Sequence, residues 1–492
     1  MLLTFILCVP LAVGLLCLFA RPRGLVEMLN LAGFAAGFIL SLGLFRAVVA
    51  APGRAVMEWG GFLRADALSA WMVLLIATVS LATSVYGVHY FRRDLAQGLV
   101  SERRWRQFYV LTPMFTTGML LVVLANNLGV MWIAVEATAL SSVLLVALYN
   151  RQTSLEAAWK YVMLGGLGLV LALLGTILTY AAAIVQPGRE MASLNWSSLL
   201  AIAPQMDHHL LTLAFILVLV GYGTKAGLAP MHTWLPDAHS EAPSPTSAML
   251  SGVSLKVSLY ALLRFHILTS ACLGSDLSCT LLLAFGLFSM LVAGPFILMQ
   301  KNLKRMLAYS SLEHVGLICA AVGMNAPLTV FGAMLHMGCH ALTKPVLFFA
   351  AGNIHQQFHT LEFRRIGTGL LRSMPATSLL LGLAAVAVCG LPPFGLFFSE
   401  LSVIAGGFIS QQTWVSVVIL ASLTVVFCGV LNKLSGILLG PAPAAAPRET
   451  ISAAGLLAMS LPLAVLLLFT IQMPNSLFQL MQQAADIIRG SP

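Results

Sequence analysis

The feature that most constrains this chain is a succession of long apolar runs that follow one another almost from the first residue to the last. A helix needs about 20 apolar residues to cross the hydrocarbon core of a bilayer. At that length the sequence offers about fourteen spans: 2–20, 25–45, 67–90, 107–125, 128–149, 159–185, 209–229, 243–269, 279–299, 306–324, 327–352, 374–391 continued by 394–410, 412–432 and 451–471. No polar insertion large enough for a second domain separates them, so the expected fold is a single all-α integral-membrane domain over 1–492. Composition excludes the soluble classes. Hydrophobic residues are 59% of the chain and charged residues 9%, whereas a soluble domain covers itself with roughly 25% charged residues. The solvent of this surface is lipid.

The formal net charge is +9, but the basic residues form no run interleaved with aromatics, which argues against a nucleic-acid partner. They are unevenly placed. Arg21, Arg23, Arg92, Arg93, Arg103, Arg104, Arg106, Arg151, Lys160, Lys301, Lys304, Arg305, Arg364, Arg365, Arg372, Lys433 and Arg448 follow odd-numbered spans, while Arg46, Arg54, Arg64, Arg189 and Arg264 follow even-numbered ones. Positively charged loops stay in the cytoplasm, so both termini are expected in the periplasm of a bacterial cytoplasmic (inner) membrane. The first span has no basic residue before it and Arg21-Pro22-Arg23 after it, the reverse of a cleaved signal. The eight cysteines lie mostly within apolar runs without a CxxC and read as packing residues; only Cys272 and Cys279 are close enough in sequence to consider a bridge.

Lys225, Lys256 and Lys344 fall inside predicted spans, together with Glu136, Glu313, His314, His336, His340 and Glu400. A charge at the bilayer centre costs roughly 2.5–3.5 kcal/mol on insertion scales. One or two structural ion pairs explain a few such residues but not nine, so a polar row across the membrane is the expectation. His336, His340 and Lys344 stand at i, i+4 and i+8 on one helix face. Imidazole takes and releases protons near neutral pH. The rival reading of the His pair is a metal site; no carboxylate or cysteine accompanies it at ligand spacing, so no metal is expected. His232 and His239 flank Trp234-Leu235-Pro236-Asp237 and read as part of a buried loop.

Two spans are broken in the same way. Gly227-Leu228-Ala229-Pro230 interrupts the seventh and Gly390-Leu391-Pro392-Pro393 the twelfth, at an offset that also sets Asp237 against Glu400. Proline removes a backbone donor and clashes with the preceding turn, so Pro230 and Pro392–Pro393 should break both helices. Paired interruptions at corresponding places in two halves mark transporter sites. Because five spans separate the breaks, the corresponding halves run in opposite directions. The expected organisation is 1–106 for spans one to three, 107–269 and 279–432 for two inverted five-helix repeats (spans four to eight and nine to thirteen), and 451–492 for the last span and tail.

The stretch Lys225-Ala226-Gly227-Leu228-Ala229-Pro230-Met231-His232-Thr233-Trp234-Leu235-Pro236-Asp237-Ala238-His239-Ser240-Glu241-Ala242-Pro243 resembles the signature of the antiporter-like membrane subunits. That family takes in the proton-pumping subunits of respiratory complex I, the multisubunit Na⁺/H⁺ antiporters and the membrane subunits of group 4 NiFe hydrogenases. Leu307-Ala308-Tyr309-Ser310-Ser311 with His314 and Gly316, His336 to Lys344, and Gly390 to Pro393 with Glu400 extend the match. The resemblance implies fourteen helices with two inverted repeats. It also implies a proton pathway through Glu136, Lys225, Lys256, His336, His340, Lys344 and Glu400, in which Lys225 pairs with Glu136. Glu313, His314, His232, Asp237, His239 and Glu241 are further candidates. Glu313 and the chain end at Pro492 favour the hydrogenase-4 type, as in its component F.

No flavin, nucleotide, Fe–S or NiFe ligand pattern is present, so no cofactor is expected and redox chemistry belongs to partners. Those partners are other membrane subunits and peripheral Fe–S, NiFe or quinone-linked subunits of an oxidoreductase complex. The expected function is H⁺ (or Na⁺) translocation driven by such a complex. The alternative is an exchanger subunit of a multisubunit Na⁺/H⁺ antiporter.

Overall fold

The computed structural model describes residues 1–184, 193–441, 449 and 451–490; Arg189 and Arg448, counted above among the loop charges, lie outside the described residues. Helices dominate it. Among the described residues twelve are long and apolar enough to cross a membrane. The 32-residue helix Pro327–Phe358 is made more polar by the histidines and lysine it carries, and stands apart from those twelve. The interrupted twelfth run forms two shorter helices, Pro375–Val388 and Gly395–Ile409.

Local chemistry sets the helix ends. Asp66, Asn127, Asp207, Asn302 and Ser452 each accept a first-turn backbone N–H, meeting donors that have no intrahelical partner. Helix His208–Ala226 stops on Gly227 at φ 81°, and Pro375–Val388 is followed by Gly390 at φ 61°. This left-handed conformation suits glycine. The segment expected to be a loop around His239 is instead the short helix Trp234–Glu241. Helix Ser244–Leu273 contains a π-turn at Leu250–Ser254.

Burial grades inward. Helices Leu2–Phe19 and Arg23–Ala50 keep much of their apolar surface outward, while Ser244–Leu273 and Leu303–Gly323 are buried throughout their apolar windows. The two innermost helices carry Lys256 and the Glu313–His314 pair. Lipid-facing helices can be uniformly apolar, but an enclosed one can carry polar groups that its neighbours satisfy. All eight cysteines are free, Cys272 and Cys279 included.

Several shorter elements have no counterpart in the span pattern. An antiparallel hairpin pairs Val56–Glu58 with Leu63–Ala65. A short helix occupies Trp196–Ile202. The tail forms the amphipathic helix Asn475–Arg489, whose Leu477, Leu480, Met481, Ala484 and Ile488 face is buried against helices Ala67–Ala96 and Pro327–Phe358.

Candidate functional site

The polar residues gather in two groups. The first centres on Lys225, fully buried on the last turn of its helix. Its ammonium donates to the Tyr161 hydroxyl and lies 4.4 Å from the ring centroid. The Tyr161 hydroxyl also shares a 2.8 Å hydrogen bond with Ser142 Oγ. The ring stacks on Trp234 at 4.3 Å, and Trp234 Nε1 donates to the Thr224 carbonyl at 2.8 Å. The broken helix thus clamps the tyrosine that meets its own lysine.

Glu136 stands on helix Leu128–Val146, upstream of Ser142, and is half-buried. It acts on Lys225 through space and makes no ion pair with it among the described residues. The resemblance implied that Lys225 pairs with Glu136; the hydrogen bond of the ammonium goes to the Tyr161 hydroxyl. Tyr161 and Ser142 were invisible in the sequence, because neither spacing nor charge distinguishes them within apolar helices.

The second group is larger and wholly enclosed. Lys256 Nζ donates to the carbonyls of Ser251 (3.2 Å) and Gly252 (2.6 Å) and lies 2.7 Å from His340 Nδ1. Both carbonyls belong to the π-turn, where the wider winding leaves backbone oxygens free to accept an outside donor. His340 packs edge-on against His314 with ring centroids 4.7 Å apart. His314 Nδ1 meets His336 Nε2 at 3.0 Å, and His336 Nδ1 meets Ser399 Oγ at 2.9 Å. The line Lys256, His340, His314, His336 and Ser399 therefore spans four helices. Glu313 Oε2 lies 3.3 Å from His314 Nδ1. Lys344 donates to the Leu307 carbonyl and to Ser310 Oγ, each at 2.9 Å.

Glu400 reaches this group from the second broken helix and is buried. A Cβ at position 390 would stand 1.9 Å from Glu400 Oε2, so the carboxylate occupies the space that glycine leaves open. Spacing alone gave His336 and His340 no carboxylate; the fold sets Glu400 beside His336 and His314, without His340. One ligand atom each of His314, His336 and Glu400 lies within 4.8 Å of the others. We assign no metal there, because the lysines lining the same enclosure add positive charge that opposes a dication.

Of the remaining candidates, Asp237 and Glu241 line one cavity with Lys160 and Arg305. Asp237 pairs with Arg305 and, at 3.1 Å, with Lys160, and Glu241 accepts from Thr153 Oγ1 at 2.8 Å. His239 is buried and stacks on Phe348 at 5.2 Å; His232 packs edge-on against Phe296 and Tyr309. Neither histidine joins the central line. Two residues counted as loop charges are buried in helices. Arg264 forms a bidentate pair with Asp66 at 2.7 Å through each nitrogen, and Lys304 donates to the Ala242 carbonyl at 2.8 Å.

Comparisons with known proteins agree on one family. Residues 125–427 match the family described as NADH:quinone oxidoreductase/Mrp antiporter, TM. The chain is 41% identical over 349 residues to a hydrogenase-4 component F homolog of Methylacidiphilum infernorum, covering 71% of this chain and 73% of that protein. It is 32% identical over 366 residues to NADH-quinone oxidoreductase subunit N of Desulforudis audaxviator, covering 74% and 69% of the two. A chain of an archaeal membrane-bound sulfane sulfur reductase shares the fold, with a TM-score of 0.85 at 24% identity over 99% of this chain and 96% of that one. This chain belongs to the NADH:quinone oxidoreductase/Mrp antiporter transmembrane family.

Proposed function

We propose that the chain is a proton-translocating, antiporter-like membrane subunit of a redox-driven complex of the hydrogenase-4 kind. It couples electron transfer in partner subunits to proton movement across the cytoplasmic membrane. The observation that carries this reading is the buried line from Lys256 through His340, His314 and His336 to Ser399, with Glu400 beside it. Groups that exchange protons are held in contact where a charge is costly, and a structural core has no need of three adjoining imidazoles. The pathway adds the Glu136, Tyr161 and Lys225 group in the first half.

Two inverted five-helix repeats within fourteen spans, with both termini periplasmic, complete the proposal. The matched breaks support it: each has a glycine at positive φ followed by a short helix that brings an acid, Asp237 or Glu400, to the bundle. The second member of each repeat packs on the third and the third on the fourth, in both halves. Energy comes from partners, because this chain holds no pattern for a redox centre.

Replacement of Lys225 tests the reading. In membrane vesicles carrying the assembled complex, Lys225→Ala should lower protons pumped per electron by about tenfold or more, the scale on which a positioned acid–base group acts. Unchanged pumping would end the proposal. Dependence of transport on external Na⁺, without electron donor, would move the chain to the exchanger class instead.

A further inference from the structure

At one end of the bundle, the last turns of helices Leu2–Phe19 and Leu128–Val146 meet the beginnings of Glu102–Leu124 and Gln152–Ile184 around a cavity of about 940 Å³. Part of its wall is charged and part is apolar. Arg103, Arg104 and Arg106 line the first part; Leu18, Val110, Leu111, Leu144, Leu148 and Leu155 line the second. Arg104 Nη1 donates to the Tyr149 carbonyl at 2.8 Å, which holds that guanidinium just past helix Leu128–Val146. Arg103 and Arg106 make no ion pair among the described residues. Glu102 is the carboxylate of the lining, and it already pairs with Arg23.

A neighbouring cavity of about 660 Å³ shares Ser101 and Glu102 with the first, but its charges are balanced: Arg92 pairs with Glu27, and Arg23 with Glu102. The surplus of cations belongs to the larger cavity. Its two parts are ordered along one helix. The arginines occupy the start of Glu102–Leu124, and Leu111 stands seven residues beyond Arg104, about 10 Å further along the axis at the rise of an α-helix. That helix also starts without a side-chain cap at Ser101, which leaves its first amide N–H groups open to an anion. Leu144 and Leu155 are exposed, at 56% and 40%. A soluble anion would leave this apolar wall bare, and an uncharged lipid would leave the arginines without a counter-charge. A phosphate joined to hydrocarbon chains meets both.

We propose that this cavity binds an anionic phospholipid from the leaflet on its side of the membrane. The phosphate accepts from Arg103, Arg106 and the remaining nitrogens of Arg104, while the acyl chains run along Val110, Leu111, Leu144 and Leu155. Basic clusters beside span ends attract anionic headgroups, and the guanidinium fork suits phosphate because it offers paired donors. The three arginines precede residues 125–427, the segment that matches the family. The inference requires only that the chain spans a bilayer, and it involves none of the residues of the proton pathway.

The test uses the assembled complex, purified in detergent, stripped of loosely held lipid and titrated with dioleoyl phosphatidylglycerol or dioleoyl phosphatidylcholine. Native mass spectrometry counts the lipids retained. The wild type should retain phosphatidylglycerol in preference to phosphatidylcholine. The double variant Arg103→Gln, Arg106→Gln should retain one phosphatidylglycerol fewer per copy of this chain, or need about tenfold more lipid to fill the site. Equal retention by wild type and variant overturns the proposal, and so does a wild type without preference between the two lipids. Glycerol phosphate, the headgroup chemistry without chains, should not displace the lipid at equal concentration; displacement marks a free-anion site and overturns the proposal. Loss of a protein subunit in place of a lipid marks a protein interface and also overturns it. Should the double variant fail to assemble, Arg103→Gln alone decides: retention should fall several-fold, and unchanged retention overturns the proposal. Proton pumping is not the readout, so the result stands whatever Lys225→Ala shows.

Discussion

At the scale of single residues, a buried ammonium needs an acceptor, and the kind of acceptor decides what the lysine can do. A carboxylate in direct contact fixes the charge. A tyrosine hydroxyl satisfies the hydrogen bond and leaves the charge free to depart. Lys225 has the second kind of partner, with Glu136 acting from farther away. Lys256 has two carbonyls and an imidazole, and Lys344 a carbonyl and a hydroxyl. The central lysines thus keep neutral partners. Tyr161→Phe tests this at Lys225. The ring and its stacking on Trp234 remain, while the hydroxyl between Lys225 and Ser142 is lost. The expected result is a several-fold fall in protons pumped per electron, with a stability loss of about 1–3 kcal/mol, because two hydrogen bonds go and the buried lysine loses its acceptor. Thermal melting in detergent and vesicle acidification measure the two effects separately.

At the scale of helices, close approach replaces the hydrophobic effect, which offers little where lipid is as apolar as the side chains. Helices Asp276–Met299 and Leu303–Gly323 meet backbone to backbone at Gly286: a Cβ there would fall 2.5 Å from Ala320 N and 2.6 Å from the Gly316 carbonyl. This contact holds the helix that carries Glu313, His314 and Lys304. Gly286→Leu should force the pair apart and sharply reduce the amount of assembled protein recovered from membranes. Gly436→Ala is the control, because nothing lies within 4 Å of a Cβ at that position; its yield and melting temperature should match the wild type. Equal yields for both variants would show that the contact does not govern assembly. The π-turn follows the same logic in the backbone, its local widening turning two carbonyls into a seat for Lys256.

At the scale of the whole molecule, the helices outside the family-matched segment are tied to it by buried charge. Asp66, at the start of helix Ala67–Ala96, grips Arg264 of helix Ser244–Leu273 through two 2.7 Å contacts and also meets Arg64 at 2.6 Å. Trp196 covers both guanidinium groups, at 4.8 and 4.5 Å from its ring. Asp66→Asn retains a residue able to cap the helix but leaves Arg264 buried without its counter-charge. Breaking a buried pair from one side costs about 3–5 kcal/mol. Melting temperature should therefore drop markedly, and a drop absent in Asp66→Asn would show that this pair does not join the two parts. The tail helix adds a second tie, since its apolar face rests on Ala67–Ala96 and Pro327–Phe358 together.

Much of this was legible from the order of residues, because a bilayer imposes a length and a polarity on every helix. The apolar runs, the breaks at Gly227–Pro230 and Gly390–Pro393, and the face shared by His336, His340 and Lys344 follow from local rules alone. What the sequence could not give is which polar groups meet. Tyr161 and Ser399 are ordinary helix residues until Lys225 and His336 arrive beside them, and Lys304 reads as a loop charge until the chain around it closes. Contacts between helices far apart in the chain leave no periodic trace in sequence. Tertiary packing alone decided that Lys225 rests on a hydroxyl rather than on Glu136, and that His314, His336 and Glu400 share one enclosure.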